Sequence, residues 1–71
     1  MIHLNGVCID QTTARVTCDA ASKLPWEVWC RRADIPEDVC IRAFTRKMDA
    51  HALRFQIASQ LDGARIDTPQ G

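Results

Sequence analysis

The sequence predicts a small α+β domain in which an N-terminal antiparallel β-hairpin, extended to a three-stranded meander, packs against three short α-helices. The first eighteen residues alternate between apolar and polar side chains around an Asn-Gly pair. Later stretches carry apolar side chains at helical spacing, and capping residues precede them. We expect one domain over residues 1–63 and a loosely ordered C-terminal tail over residues 64–71.

The hairpin is predicted by Asn5 and Gly6, because this dipeptide supplies the two positive-φ residues of a type I′ turn. The turn sets a register that opposes Leu4 with Val7 and Ile2 with Ile9. All four of these apolar side chains then share one face. A second reversal near Thr12 completes the predicted meander over residues 1–18.

Three helices are expected to follow the meander. They cover about residues 23–33, 35–47 and 50–62. Ser22, Asp34 and Asp49 precede these stretches, where a side-chain oxygen can accept a hydrogen bond from a first-turn N–H group. Gly63 ends the third helix. The third helix carries one stripe of Leu53, Ile57 and Leu61 and an adjoining one of Phe55 and Ala58.

Length and charge restrict the classes of function. The chain has 71 residues, with nine basic and nine acidic side chains. It has room for one hydrophobic core, which disfavours a deep active-site cleft, and no net field draws it toward nucleic acids or acidic membranes. The longest apolar runs are too short to span a bilayer, and the N-terminus lacks a secretory signal, so we expect a cytoplasmic protein.

The four cysteines, Cys8, Cys18, Cys30 and Cys40, are expected to be reduced, because the sequence shows no secretory signal. A zinc site is disfavoured because the sequence lacks Cys-x-x-Cys and His-x-x-x-His pairs. No Ser-His-Asp grouping or phosphate-binding glycine loop can be assembled either. We therefore expect no metal, no cofactor and no enzymatic activity.

Residues 26–48 form the one stretch that looks like a motif, two short helices joined by a tight turn. Its segment 31–37 resembles the turn of bacterial helix-turn-helix repressors, with Asp34 where that pattern usually has glycine. The resemblance implies a dimeric DNA-binding transcriptional regulator whose second helix enters the major groove. The residues expected to contact DNA are Arg31, Arg32, Arg42, Arg46 and Lys47.

The other hypothesis is a non-enzymatic regulatory or inhibitory protein that binds a protein partner, of the kind that viruses and mobile elements encode as accessory factors. An exposed tryptophan beside arginines has the composition of an interface hot spot, and an outward Ile41 suggests a partner patch or a homodimer seam. The candidate partner-binding residues are Trp26, Trp29, Arg31, Arg32 and Ile41. We favour this hypothesis because Glu37 and Asp38, at the leading end of a recognition helix, would repel phosphates. Packing of both tryptophans in the core remains the alternative.

Overall fold

The computed structural model describes residues 1–60 and shows a four-stranded antiparallel sheet, curled into a half-barrel, with one α-helix. The strands are β1 (Ile2–Leu4), β2 (Val7–Cys18), β3 (Trp26–Arg32) and β4 (Asp38–Phe44), and they lie in the order β1-β2-β3-β4. The helix α1 (Lys47–Ala58) follows β4. The predicted fold class, a meander packed against three helices, is therefore wrong.

The first hairpin has the turn and the register that the sequence predicts. Asn5 (φ 54°) and Gly6 (φ 75°) both adopt left-handed conformations, as a type I′ turn requires. The paired residues are Ile2 with Ile9, His3 with Cys8, and Leu4 with Val7. Because side chains alternate along a strand, this register buries Ile2, Leu4 and Ile9 together in the core.

Replacing Gly6 with alanine is expected to destabilise the protein by about 1–2 kcal/mol, because an L side chain is strained at this positive φ. Apart from the two neighbouring residues in the chain, no heavy atom lies within 4 Å of the position of the added Cβ, so the cost arises in the backbone and not from a collision. Urea denaturation measures the effect. The matched control is D-alanine at the same position, introduced by chemical synthesis, which should preserve wild-type stability. Equal losses from both alanines would contradict this explanation.

Strand β2 continues through the point at which the sequence predicts a second reversal. It is one strand of 12 residues, so the turn near Thr12 and the separate third strand are wrong. Its register with β3 shifts between Asp10 and Arg15. The Thr13 hydroxyl supports this irregularity, since it donates to the carbonyl of Asp10 (2.7 Å) and accepts the N–H of Arg31 (2.7 Å). Such bulges bend a strand, which contributes to the curl of the sheet.

Strands β3 and β4 occupy the region of the first two predicted helices. Both helices, over 23–33 and 35–47, are therefore wrong, and so is the helix-turn-helix over 26–48. In β3 the buried Val28 and Cys30 are two residues apart, as on one face of a strand. The backbone groups of these strands form hydrogen bonds to the neighbouring strands, whereas in a helix they would bond within the same segment.

The helix α1 covers the concave face of the sheet. Its buried residues are Ala50, Leu53 and Ile57, and it packs against β2, β3 and β4. The predicted third helix is thus present, but it begins at Lys47, so Asp49 lies in its first turn and is not the cap. It ends at Ala58, earlier than expected. The predicted tail over 64–71 lies outside the described residues, as do Leu61 and Gly63.

The curl brings the first turn toward the last strand. The side-chain amide of Asn5 donates a hydrogen bond to the carbonyl of Ile41 in β4 at 3.3 Å. Because β1 and β4 are the two edges of the sheet, this bond reaches across the open side of the half-barrel. Over residues 1–60, no helix has the length and apolar character needed to cross a membrane.

Candidate functional site

The sheet divides the predicted partner-binding residues between its two faces. Trp29 and Arg31 lie on the convex face, opposite to the face on which α1 packs. Trp26 and Arg32 alternate to the concave side. Ile41 is only 7% exposed and belongs to the core, so the expectation that it points outward is wrong. The five residues therefore do not form one surface.

The convex face carries a charged patch around Trp29, which we call the Trp29 patch: Arg15, Glu27, Trp29, Arg31 and Asp38. Arg15 donates to one carboxylate oxygen of Asp38 at 2.9 Å, and Arg31 Nε lies 3.5 Å from the other. The indole N–H of Trp29 donates to Glu27 at 3.3 Å. The charges of the patch are thus largely engaged with one another. Exposed pairs of this kind add at most about 1 kcal/mol to stability.

The side of α1 that faces solvent carries an apolar stripe, which we call the α1 stripe: Met48, Ala52 and Phe55. Met48 is 82% exposed and Phe55 is 71% exposed. At 100° per residue, spacings of four and three place these side chains on one line, opposite to the buried Ala50 and Ile57. The sequence pattern does not predict this surface, because it places Phe55 next to the core-facing stripe. The spacing from Met48 to Phe55 would have revealed it, had the helix start been known.

Charged side chains flank the α1 stripe on both sides. Helical geometry places Lys47 and Arg54 along one side and Asp49 along the other. All three residues are exposed. The α1 stripe is therefore an apolar line with a basic border and an acidic border.

The structure separates the five basic residues predicted to contact DNA. Three of them, Arg42, Arg46 and Lys47, lie near the junction of β4 and α1. The other two lie at the far end of β3, where Arg32 forms two hydrogen bonds to Asp34, at 3.1 and 2.8 Å, and Arg31 pairs with Asp38. The single basic surface expected of a helix-turn-helix is therefore not formed.

An open depression of about 440 Å³ lies beside the β3–β4 loop. Its lining residues are Met1, Asp10, Arg31, Arg32, Ala33, Asp34, Ile35 and Pro36. The two arginines in this depression already pair with carboxylates, and the depression is wide open to solvent. Its geometry is unlike the enclosed, mostly apolar pockets that bind small molecules.

The cysteines are free thiols. Burial raises the pKa of the Cys30 thiol to about 11, against a smaller lowering by Arg15. Burial also raises the pKa of Cys40, with a further contribution from the charge of Glu27. A raised pKa keeps a thiol protonated, whereas a nucleophilic cysteine needs a lowered one. Among the described residues, no three His, Cys, Asp or Glu side chains are grouped closely enough to hold a metal ion.

The strongest candidate for a binding surface is thus the α1 stripe, because it exposes large apolar side chains on an ordered helix. The Trp29 patch is a second surface whose polar groups are already engaged. Comparison of the chain with protein-family models, with curated proteins and with solved structures finds no match in any of the three.

Proposed function

We propose that this protein is a non-enzymatic binding module that acts on a protein partner by docking the α1 stripe into an apolar groove of that partner. The observation that carries the proposal is the exposure of Met48 and Phe55, at 82% and 71%, on the side of α1 that faces away from the core. Water-exposed apolar side chains that line up on one face are typical of protein interaction sites.

The spacing of the α1 stripe fits docking of a helix into a groove. Met48, Ala52 and Phe55 stand at positions i, i+4 and i+7, which are the anchor positions of amphipathic helices that bind in this way. Burying a side chain such as Met or Phe stabilises a complex by about 1.5–3 kcal/mol. The small Ala52 between them lets the partner approach the helix backbone closely.

The helix is already ordered before it meets a partner. Leu53 and Ile57 hold its other side against the sheet, where they are 3% and 0% exposed. Binding therefore does not have to supply the free energy of folding the helix, which is a large cost when disordered segments dock. The basic border formed by Lys47 and Arg54 favours a groove whose facing rim is acidic.

The Trp29 patch is less suited to this role. Docking a partner there would remove Arg15, Arg31 and Asp38 from water, and desolvation of charges costs about as much as their attraction returns. Trp29 is also only partly exposed, and its indole N–H already donates to Glu27. The α1 stripe has no such cost, because its side chains are apolar.

Replacing Phe55 with glutamate should weaken partner binding by about tenfold or more, since a carboxylate is costly to bury in an apolar groove. Immobilised wild-type protein captures partners from a cell lysate of the source organism, and the purified partner is then titrated against each variant by calorimetry. The matched control is Gln56→Glu, which adds the same charge at the neighbouring exposed position outside the α1 stripe.

We expect the purified partner to bind the wild type and Gln56→Glu with equal affinity, and the binding to show a negative heat-capacity change because apolar surface is buried. Circular dichroism serves as the check that Phe55→Glu is folded. A partner that binds Phe55→Glu as tightly as the wild type would place the docking surface elsewhere. The experiment can also fail to yield any partner that binds saturably after purification. That result would contradict the proposal that this protein is a protein-binding module.

A further inference from the structure

One end of the sheet combines two aromatic rings with cations. Trp26 and Phe44 lie directly opposite each other in the pairing of β3 with β4, so their side chains are neighbours on the concave side. Both are partly buried against the core. The guanidinium of Arg42 lies 5.0 Å from the centre of the Phe44 ring, and the ammonium of Lys47 lies 5.7 Å from the centre of the Trp26 ring. We call this arrangement the Trp26 corner.

Among the described residues, basic side chains are in slight excess at one end of the sheet and acidic ones at the other, although the net charge of the chain is zero. The end that holds the Trp26 corner contains four basic side chains, Lys23, Arg42, Arg46 and Lys47, and three acidic ones, Asp19, Glu27 and Asp49. The opposite end contains four acidic side chains, Asp10, Asp34, Glu37 and Asp38, and three basic ones, Arg31, Arg32 and Arg15, whose guanidinium binds Asp38.

The acidic residue nearest to the corner in β3 does not face the rings. Glu27 points to the convex face, where its carboxylate accepts hydrogen bonds from Trp29 and Thr17 at 3.3 and 3.4 Å. Arg46 and Lys47, in contrast, are exposed at the junction of β4 and α1, where a ligand can reach them. The rings of the corner therefore have the cations of Arg42 and Lys47 beside them and not the carboxylate of Glu27.

We propose that the Trp26 corner binds single-stranded nucleic acid. Proteins that bind single strands combine aromatic rings, on which bases stack, with cations that bind the phosphates between those bases. A base that stacks on Trp26 takes the place of Lys47 on the ring, and the displaced ammonium meets a phosphate. The bases of a duplex are stacked on each other and cannot present their faces to the rings, so the corner selects single strands. This site adjoins the α1 stripe at Lys47, but base stacking on Trp26 does not require docking of the α1 stripe.

The first test is binding of a fluorescein-labelled oligothymidylate, followed by anisotropy over a range of salt concentrations. The double variant Arg46→Ala, Lys47→Ala should bind about tenfold more weakly at low salt. Its plot of log affinity against log salt should be shallower by about 0.7 for each phosphate contact removed. The matched control is Arg54→Ala, an exposed cation of the same helix outside the corner, which should stay within about twofold of the wild type.

The second test measures the fluorescence of the Trp26 indole. The chain has two tryptophans, so Trp29→Phe leaves Trp26 as the sole indole emitter, and Trp26→Phe leaves Trp29. Stacking of a base should quench the fluorescence of Trp29→Phe and leave that of Trp26→Phe unchanged. Stacking quenches an indole through direct contact between the ring and a base, which a phosphate contact alone does not provide.

Three results would overturn the proposal. The first is the absence of oligothymidylate binding at the lowest salt. The second is equal affinity for a duplex of the same length. The third is displacement of the oligonucleotide by polyglutamate of equal charge, combined with an oligonucleotide that does not quench Trp26. That result would identify the corner as a site for acidic protein surfaces. Quenching of Trp26 together with a preference for single strands would support it.

Discussion

Replacing Ile57 with alanine is expected to lower the free energy of unfolding by about 3–4 kcal/mol. Ile57 has no exposed surface and lies in the core, between α1 and the concave face of the sheet. Truncating it removes apolar contacts and leaves a cavity that the sheet can only partly fill. Because a domain of this length has a total stability of about 4–10 kcal/mol, the variant should be close to unfolding at moderate temperature. Urea denaturation measures the change.

The matched control for this variant lies two residues earlier on the same helix. Phe55→Ala removes a larger side chain, but Phe55 is 71% exposed, so the change in stability should be within about 0.5 kcal/mol. The pair therefore tests which side of α1 faces the core. Comparable losses from both substitutions would show that Phe55 is packed, and the α1 stripe would then lose its support as a docking surface.

Stability is also expected to fall steeply as the pH rises from about 9 to about 11. Burial raises the pKa of the Cys30 thiol from its ordinary 9.0 to about 11, with Arg15 opposing and Asp10 adding to the shift. Above pH 9 the unfolded chain loses this proton while the folded protein keeps it, so the unfolded state is favoured. The contribution is complete below pH 9 and is lost by pH 11. The difference amounts to about 2–3 kcal/mol.

Urea denaturation at a series of pH values measures this dependence. Cys30→Ala should flatten the curve between pH 9 and 11, although its overall stability will be lower because a buried side chain is shortened. Cys18→Ala, which removes an exposed thiol from the end of β2, should keep the full slope. A slope that survives in Cys30→Ala would assign the effect to other groups.

The elements predicted correctly are those whose signals are local. Asn5 and Gly6 define a turn by their own conformational preferences, and a two-residue turn fixes the register of the strands it joins. In α1 the spacing of Leu53 and Ile57 repeats with the helical period, so the helix was found although its start was misplaced.

The two central strands were predicted as helices because their sequences fit both periods. Trp26 and Trp29 are three residues apart, as on one side of a helix, while Val28 and Cys30 are two apart, as on one face of a strand. The polar residues predicted to cap the first two helices lie in the connections between strands instead. The hydroxyl of Ser22 accepts the N–H of Leu24 at 3.3 Å, and Asp34 binds Arg32. Short polar side chains serve both roles, so they could not decide between the two.

By itself the sequence determined the first hairpin and the presence of a helix around residues 50–58, because each depends on neighbouring residues. Only the tertiary structure decided that β3 and β4 are strands, since their hydrogen-bond partners lie far along the chain. It also decided which side chains share a surface. Exposure of Met48 and Phe55 depends on which side of α1 the sheet covers, and the pairing of Trp26 with Phe44 depends on strand order. Neither can be derived from local sequence.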